Sequence, residues 1–239
     1  MSNHHPLSTR DHRHLRVKTE RSAALGDNQM CCVTFPEEFR RVQAHYPIVF
    51  QLSADRERFS ALALFGFQDG ENLFIRDPDW DAHYVPLAMN IQPFLVGRPS
   101  GEGGESQIHV DLAHPRISET DGIRILDDDG LPTPLLEAYN DRLGQLQAGY
   151  EGSGGFMEAL KRHDLLEPFA LEVTLEDGSS NRLVGFHTIN EDRIRSLDAG
   201  TLAELQAAGY LMPIFMVLAS LANLNDLVAR KNAAVRNAG

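Results

Sequence analysis

Short apolar runs alternate with polar breaks through the first half of the chain. YPIVFQL (46–52), SALALFGF (60–67) and NLFIRD (72–77) are each bounded by Asp, Gly or Pro, which is the pattern of strands. Gln68-Asp69-Gly70 between the last two reads as a hairpin turn. The stretch 83–97, HYVPLAMNIQPFLVG, is extended in character. Pro86 and Pro93 cannot donate to a ladder, so it is expected at a sheet edge or broken in two. SQIHVDL (106–112) alternates, with Ile108, Val110 and Leu112 on one face and Gln107, His109 and Asp111 on the other. GIRIL (122–126) closes this β-rich half.

Helical periodicity follows. Thr133 is placed to cap and Pro134 to occupy the first helical position, with Leu135, Tyr139, Leu143 and Leu146 as the apolar stripe. Gly152-Ser153-Gly154-Gly155 is expected to break the chain before a short helix containing Phe156 and Leu160. Two strands return, 169–178 and 182–189, joined by a glycine-containing turn. Asn190 begins an acidic turn, Asp198 or Thr201 caps the next helix, and Gly209 ends it. A last helix over 211–230 carries Leu211, Ile214, Phe215, Leu218 and Leu221. The order predicts an α+β fold: an antiparallel or mixed β-sheet with segregated helices and a helical C-terminus. Residues 1–30, polar and rich in His and Arg, are expected to form a basic flexible arm, and 31–239 a single domain.

Charge narrows the function classes. The net charge is −12, and the five basic and two acidic residues among the first 22 leave −15 for the remainder. Such a body is repelled by phosphate backbones, so nucleic acid is not an expected partner. The two cysteines, Cys31 and Cys32, are adjacent and offer no zinc or redox spacing. The first residues lack the apolar core of a secretion signal, so a cytoplasmic protein is expected. YLMPIFMVLASLANL (210–224) is shorter than the roughly 20 residues of a membrane span and is expected as a buried helix.

Taken in order, DHRHLRV, LGDNQ, YPIVF, GENLF, the lone tryptophan before YVP, QPF, IHVDLAHPRIS, LLEP, GFHTINEDRI and LASLANLNDL span nearly the whole chain. This series resembles the SapC family of bacterial proteins, named from a surface-layer gene locus. The resemblance implies a link to the cell envelope, with relatives found beside tryptophan-halogenase-like and outer-membrane-receptor genes. It brings no settled reaction, cofactor or catalytic residue.

HVDLAHPRIS (109–118) is the densest polar cluster. His109 and Asp111 on one strand face, with His187 far downstream, have the order of an iron triad that would serve a 2-oxoglutarate-dependent oxygenase, with Arg193 or Arg195 holding the co-substrate. Against this, the intervening chain is spent mainly on helices, whereas such triads sit in a double-stranded β-helix. His114 and Arg116, fixed around Pro115, can receive a carboxylate or phosphate. Trp80 with Tyr84 forms a plausible aromatic lip for a small molecule. The GSGG segment resembles a phosphate cradle but lacks a P-loop lysine and a preceding strand. The favoured expectation is therefore a non-catalytic binding or accessory protein without a metal. Its ligand site would draw on Trp80, Tyr84, His114 and Arg116. Its partner would be a protein, a peptide or a small metabolite, with a homodimer admitted. The oxygenase stands as the alternative.

Overall fold

The computed structural model describes residues 3–97 and 107–238; Gly101–Glu105, the glycine-rich tract, lies outside them. In chain order the strands are β1 (His4–Pro6), β2 (Arg16–Val17), β3 (Cys31–Thr34), β4 (Ile48–Leu52), β5 (Phe59–Leu64), β6 (Ile75–Arg76), β7 (Asp79–Trp80), β8 (Phe94–Gly97), β9 (Gln107–Asp111), β10 (Ile117–Ser118), β11 (Ile123–Arg124), β12 (Leu166–Thr174) and β13 (Ser180–Ile189). The helices are α1 (Phe39–Val42), α2 (Leu87–Asn90), α3 (Pro134–Arg162), α4 (Glu191–Arg195), α5 (Ala199–Ala207), α6 (Leu211–Ser220) and α7 (Asn223–Ala238). This is the expected α+β class with a helical C-terminus.

The chain divides into two compact units. The first comprises Met1–Asn28, Ile75–Asp81 and Leu87–Ala148, the second Gln29–Phe74, Ala82–Pro86 and Gly149–Gly239. In the first, β1-β9-β8 and β10-β2-β11 form two small antiparallel sheets and β6 pairs with β7. Leu15, Val17, Phe94, Val110, Ile125 and Leu136 pack together in one buried cluster. Each such side chain contributes about 1.5–3 kcal/mol on leaving water. Ile108 and Leu112 pack against the same cluster as Val110, so the predicted alternation of this strand holds.

The expected N-terminal arm is instead part of this unit. His4 pairs with Asp111 and Pro6 with His109, and β2 is the central strand of its sheet. The reason is local: Leu15 and Val17, two apart, point inward together and are almost completely buried. The extended stretch 83–97 is broken in two as expected, with α2 starting after Pro86 and β8 after Pro93.

The second unit is built on a five-stranded antiparallel sheet, β12-β13-β4-β5-β3. Ile48, Val49 and Phe50 of β4 are all buried, as befits a central strand. The Ile48 amide donates to Ser220 Oγ of α6 at 2.8 Å. Tyr46, Phe65 and Phe74 stack edge to face nearby, with centroids 4.7–6.2 Å apart. The hairpin expected around Gln68–Gly70 does not extend into a strand pair, because β5 is flanked by β3 and β4. Asn72 Oδ1 accepts from the Phe74 amide at 3.0 Å, turning the chain before a strand can grow.

Two helical expectations also change. The last helix is two, α6 and α7, separated at Leu221 and Ala222, where the Asn223 side chain donates to Gln43 O at 2.8 Å. By length and composition Leu211–Asn237 is apolar enough to cross a membrane, a test that core helices also pass. Here Ile214 and Val217 are fully buried while Met212 and Phe215 are exposed.

The other change concerns the glycine segment, which lies inside the unbroken, 29-residue helix α3. A Cβ on Gly149 would come within 3.0 Å of Phe35, and one on Gly155 within 2.4 Å of Tyr210 Oη. The glycines thus let the helix backbone approach its neighbours. Their propensity cost of about 0.8–1.0 kcal/mol each is offset by burial of Phe156, Met157 and Leu160. Gly154 differs, since a Cβ there meets nothing within 4 Å. Gly154→Ala is expected to raise unfolding free energy by about 0.5–1 kcal/mol, whereas Gly149→Ala, whose Cβ would press on the Cβ and Cγ of buried Phe35, lowers it. Urea denaturation of both variants checks the contrast, and equal effects would contradict it.

Candidate binding cleft

The second unit contains a cleft of about 410 Å³, within the range of small-ligand sites. The ends of β3 and β5 supply Val33, Thr34, Phe35, Phe59 and Ala61, and the glycine-bearing part of α3 supplies Tyr150, Ser153 and Met157 opposite them. Val33 and Tyr150 are both large exposed apolar residues. Tyr150 holds its ring edge to face against buried Phe35, centroids 6.3 Å apart. The Phe59 ring meets His187 in the same way at 4.9 Å. Register places Thr34 opposite Ala61, and Thr34 Oγ1 donates to the buried carboxylate of Glu38 at 2.8 Å.

Two cations stand at this cleft. Arg58 lines it with no salt bridge or side-chain hydrogen bond among the described residues. Lys161 spends one of its three donors on Glu57 O at 3.1 Å. Glu158 also lines the cleft, leaving the charged lining at a net +1. Apolar walls, serine hydroxyls and a small cationic excess suit a guest with an apolar body and one anionic group.

None of the four residues expected to bind ligand lines this cleft. Arg116, fully buried in the first unit, donates through Nη1 to Lys18 O and Glu20 O at 2.9 and 2.7 Å, and through Nη2 to Asp27 Oδ2 at 2.5 Å. Asp27, also buried, accepts from Arg21 Nη1 at 3.1 Å and from the Ser22 amide at 2.9 Å. Arg21 reaches on to Met89 O and Asn90 Oδ1. This network takes three of the five N–H groups of the Arg116 guanidinium, which is enclosed in the fold with its Nε buried and unpaired among the described residues. His114 is half-buried, and its Nδ1 accepts from the Arg116 amide at 3.2 Å. Trp80 lies in the two-residue strand β7 opposite Ile75. Tyr84 belongs to the second unit, where its hydroxyl donates to Glu38 at 2.6 Å and Arg41 lies over its ring. Burial and that bond raise the Tyr84 pKa.

A family model for SapC matches residues 7–227 of the 239. The chain belongs to the SapC family. A search of curated proteins and of solved structures finds no match.

In this SapC-family chain the oxygenase alternative finds no support in geometry. Among the described residues no group of three or more His, Cys, Asp or Glu side chains could hold a metal ion. Each proposed ligand has its own local role. The His109 ring lies where a Cβ of Gly97 would be, 2.0 Å away, so its packing requires that glycine. Asp111 Oδ1 accepts from the amides of Asn3 and Ala113 at 2.8 and 3.0 Å. Burial works to raise the Asp111 pKa, but these bonds and the nearby imidazoles bring it below the ordinary value. His187 sits in β13 between Pro168 and Phe50, and burial lowers its pKa. Arg195 pairs with Glu191 and Asp192, and Arg193 Nε donates to His163 O. The Cys31 and Cys32 thiols are free, with pKa values raised first by burial, which favours the unreactive thiol form.

Sequence reading missed Arg58, Phe59, Tyr150, Met157 and Lys161. The usable signal was Tyr150, Ser153, Met157 and Lys161 at three- and four-residue spacing, a helical face that reading GSGG as a break concealed.

Arg116→Leu is expected to cost about 3–5 kcal/mol of unfolding free energy, because Asp27 would keep a buried charge with a lost partner. Arg116→Lys is expected not to restore it, since one ammonium does not reproduce the planar fork that serves three acceptors. Guanidinium denaturation measures both, and a loss below about 1 kcal/mol would contradict the first expectation. Burial, then Arg116, lowers the His114 pKa from its ordinary 6.5. The unfolded chain therefore binds more protons than the folded one as pH falls below about 6.5, and stability declines there. His114→Asn is expected to flatten that decline in denaturation measured from about pH 7.5 to 5.5; an unchanged slope would oppose it.

Proposed function

We propose that this SapC-family chain is a non-catalytic binding or accessory protein whose cleft in the second unit seats an amphipathic anionic guest. The observation that carries this reading is the lining: apolar groups from β3, β5 and α3 beside Arg58, which has no salt bridge or side-chain hydrogen bond among the described residues, and Lys161 with donors to spare. Burying an apolar body against Phe59 and Met157 supplies affinity, and the cations orient the charged end. Action in the cytoplasm belongs to the same proposal, as does a place in an envelope-linked pathway of peptide or metabolite modification, the latter supported by the family likeness.

Gly154 provides the test, because it lines the cleft and a Cβ there meets no neighbour within 4 Å. Thermal melting is measured with a panel of short peptides, medium-chain carboxylates and aromatic carboxylates, each at millimolar concentration. At least one class is expected to raise the melting temperature by about 5 °C, and Gly154→Trp, which fills the cleft, is expected to abolish the rise. No rise with any probe, or a rise that survives in Gly154→Trp, overturns the reading.

A further inference from the structure

The five-stranded sheet leaves one rung open beside the cleft. β5 begins at Phe59, whereas its pairing with β3 ends at Thr34 opposite Ala61. Which way each β5 residue directs its backbone follows from the bonds at the ends of the ladder. Ser53 N donates to Arg58 O at 2.8 Å and Leu64 N to Pro47 O at 3.0 Å, so Arg58, Ser60, Leu62 and Leu64 turn towards β4. Phe65 N donates to Met30 O at 2.7 Å, so Phe59, Ala61, Ala63 and Phe65 turn towards β3. Continued in register, β3 would place Pro36 opposite Phe59. Proline has no N–H to give, and the chain there turns into α1, with Glu38 N donating to Phe35 O at 2.8 Å. The Phe59 amide and carbonyl thus face the side that β3 has vacated, with no hydrogen bond to a described residue.

Resting on the cleft reading above, the geometry points to an extended peptide with a free carboxylate as the guest. One residue of the peptide takes the open rung: its carbonyl accepts from Phe59 N–H and its own N–H donates to Phe59 C=O, as when a strand adds to a sheet edge. Apolar side chains of the same peptide enter the cleft against Met157 and Tyr150. The carboxylate meets Arg58 and Lys161, while Glu158 disfavours a second anionic group nearby. Charge complementarity and the unfilled rung select the same occupant, since a peptide end carries an amide, an apolar side chain and a carboxylate within a few ångströms.

The test selects random octapeptides with free C-termini on the full chain, with Gly154→Trp as the counter-screen. Enriched peptides are then resynthesised with single N-methyl amides and with a C-terminal amide. Expected are peptides ending in apolar residues and bound to the wild type but not to Gly154→Trp. Affinity should fall about ten-fold on methylating one particular amide, the loss of one hydrogen bond, and likewise on amidating the C-terminus or in the Arg58→Gln chain. Peptides that bind through the cleft yet tolerate every N-methyl substitution overturn the strand-like mode and leave the cleft reading intact. Enrichment of no cleft-dependent peptide, while carboxylates still raise the melting temperature, overturns the peptide assignment alone. Failure of every probe overturns both.

Discussion

Unbroken hydrogen bonding along α3 through its glycine-rich part is the constraint on which the second unit turns. A helix with Gly149, Gly152, Gly154 and Gly155 within seven positions holds together only where packing offsets the weak intrinsic preference of those residues. Phe156, Met157 and Leu160 provide that packing. In exchange the helix backbone comes close to Phe35 and Tyr210, and the exposed side of the same segment becomes one wall of the cleft. The other wall comes from the ends of β3 and β5, so helix and sheet share the cleft without either supplying it alone.

The first unit is organised around charge. Arg116, Asp27 and Arg21 form a buried chain whose ends are tied to main-chain carbonyls of segments distant in sequence. Such a network gains little net free energy over an apolar replacement of equal shape, yet each member becomes costly to remove once the rest is in place. It makes the N-terminal segment inseparable from the strand-rich middle of the chain, and His114 is carried along as a neighbour of Arg116.

Much of the architecture was legible in the residues. The antiparallel pair β12 and β13, the start of α3 at Pro134, the cap at Asp198, one of two candidates with Thr201, and the inward set of Ile108 and Val110 all follow from short-range patterns, whereas Asn190, read as opening an acidic turn, caps the short helix α4. What escaped depends on long-range partners. Leu15 and Val17 show no amphipathic run, because β2 is only two residues long and contributes one inward side chain, Val17, with Leu15 just before it, and its pairing partners lie about a hundred positions away. GSGG was misread because tertiary packing overrode local propensity. The polar decapeptide 109–118 drew attention as a site because sequence displays the charge of Arg116 and hides its burial. The cleft residues showed no such concentration, since they come from three separate stretches.

Both margins of the five-stranded sheet carry a proline. Pro36 ends β3 after four residues, and Pro168 lies within β12, just before a register irregularity between Phe169 and Leu171. An edge so interrupted offers no long run of free amides to a second copy of the chain, which guards against fibril-like stacking at high concentration. The same imino acids thus limit how much unpaired backbone the two margins of the sheet expose.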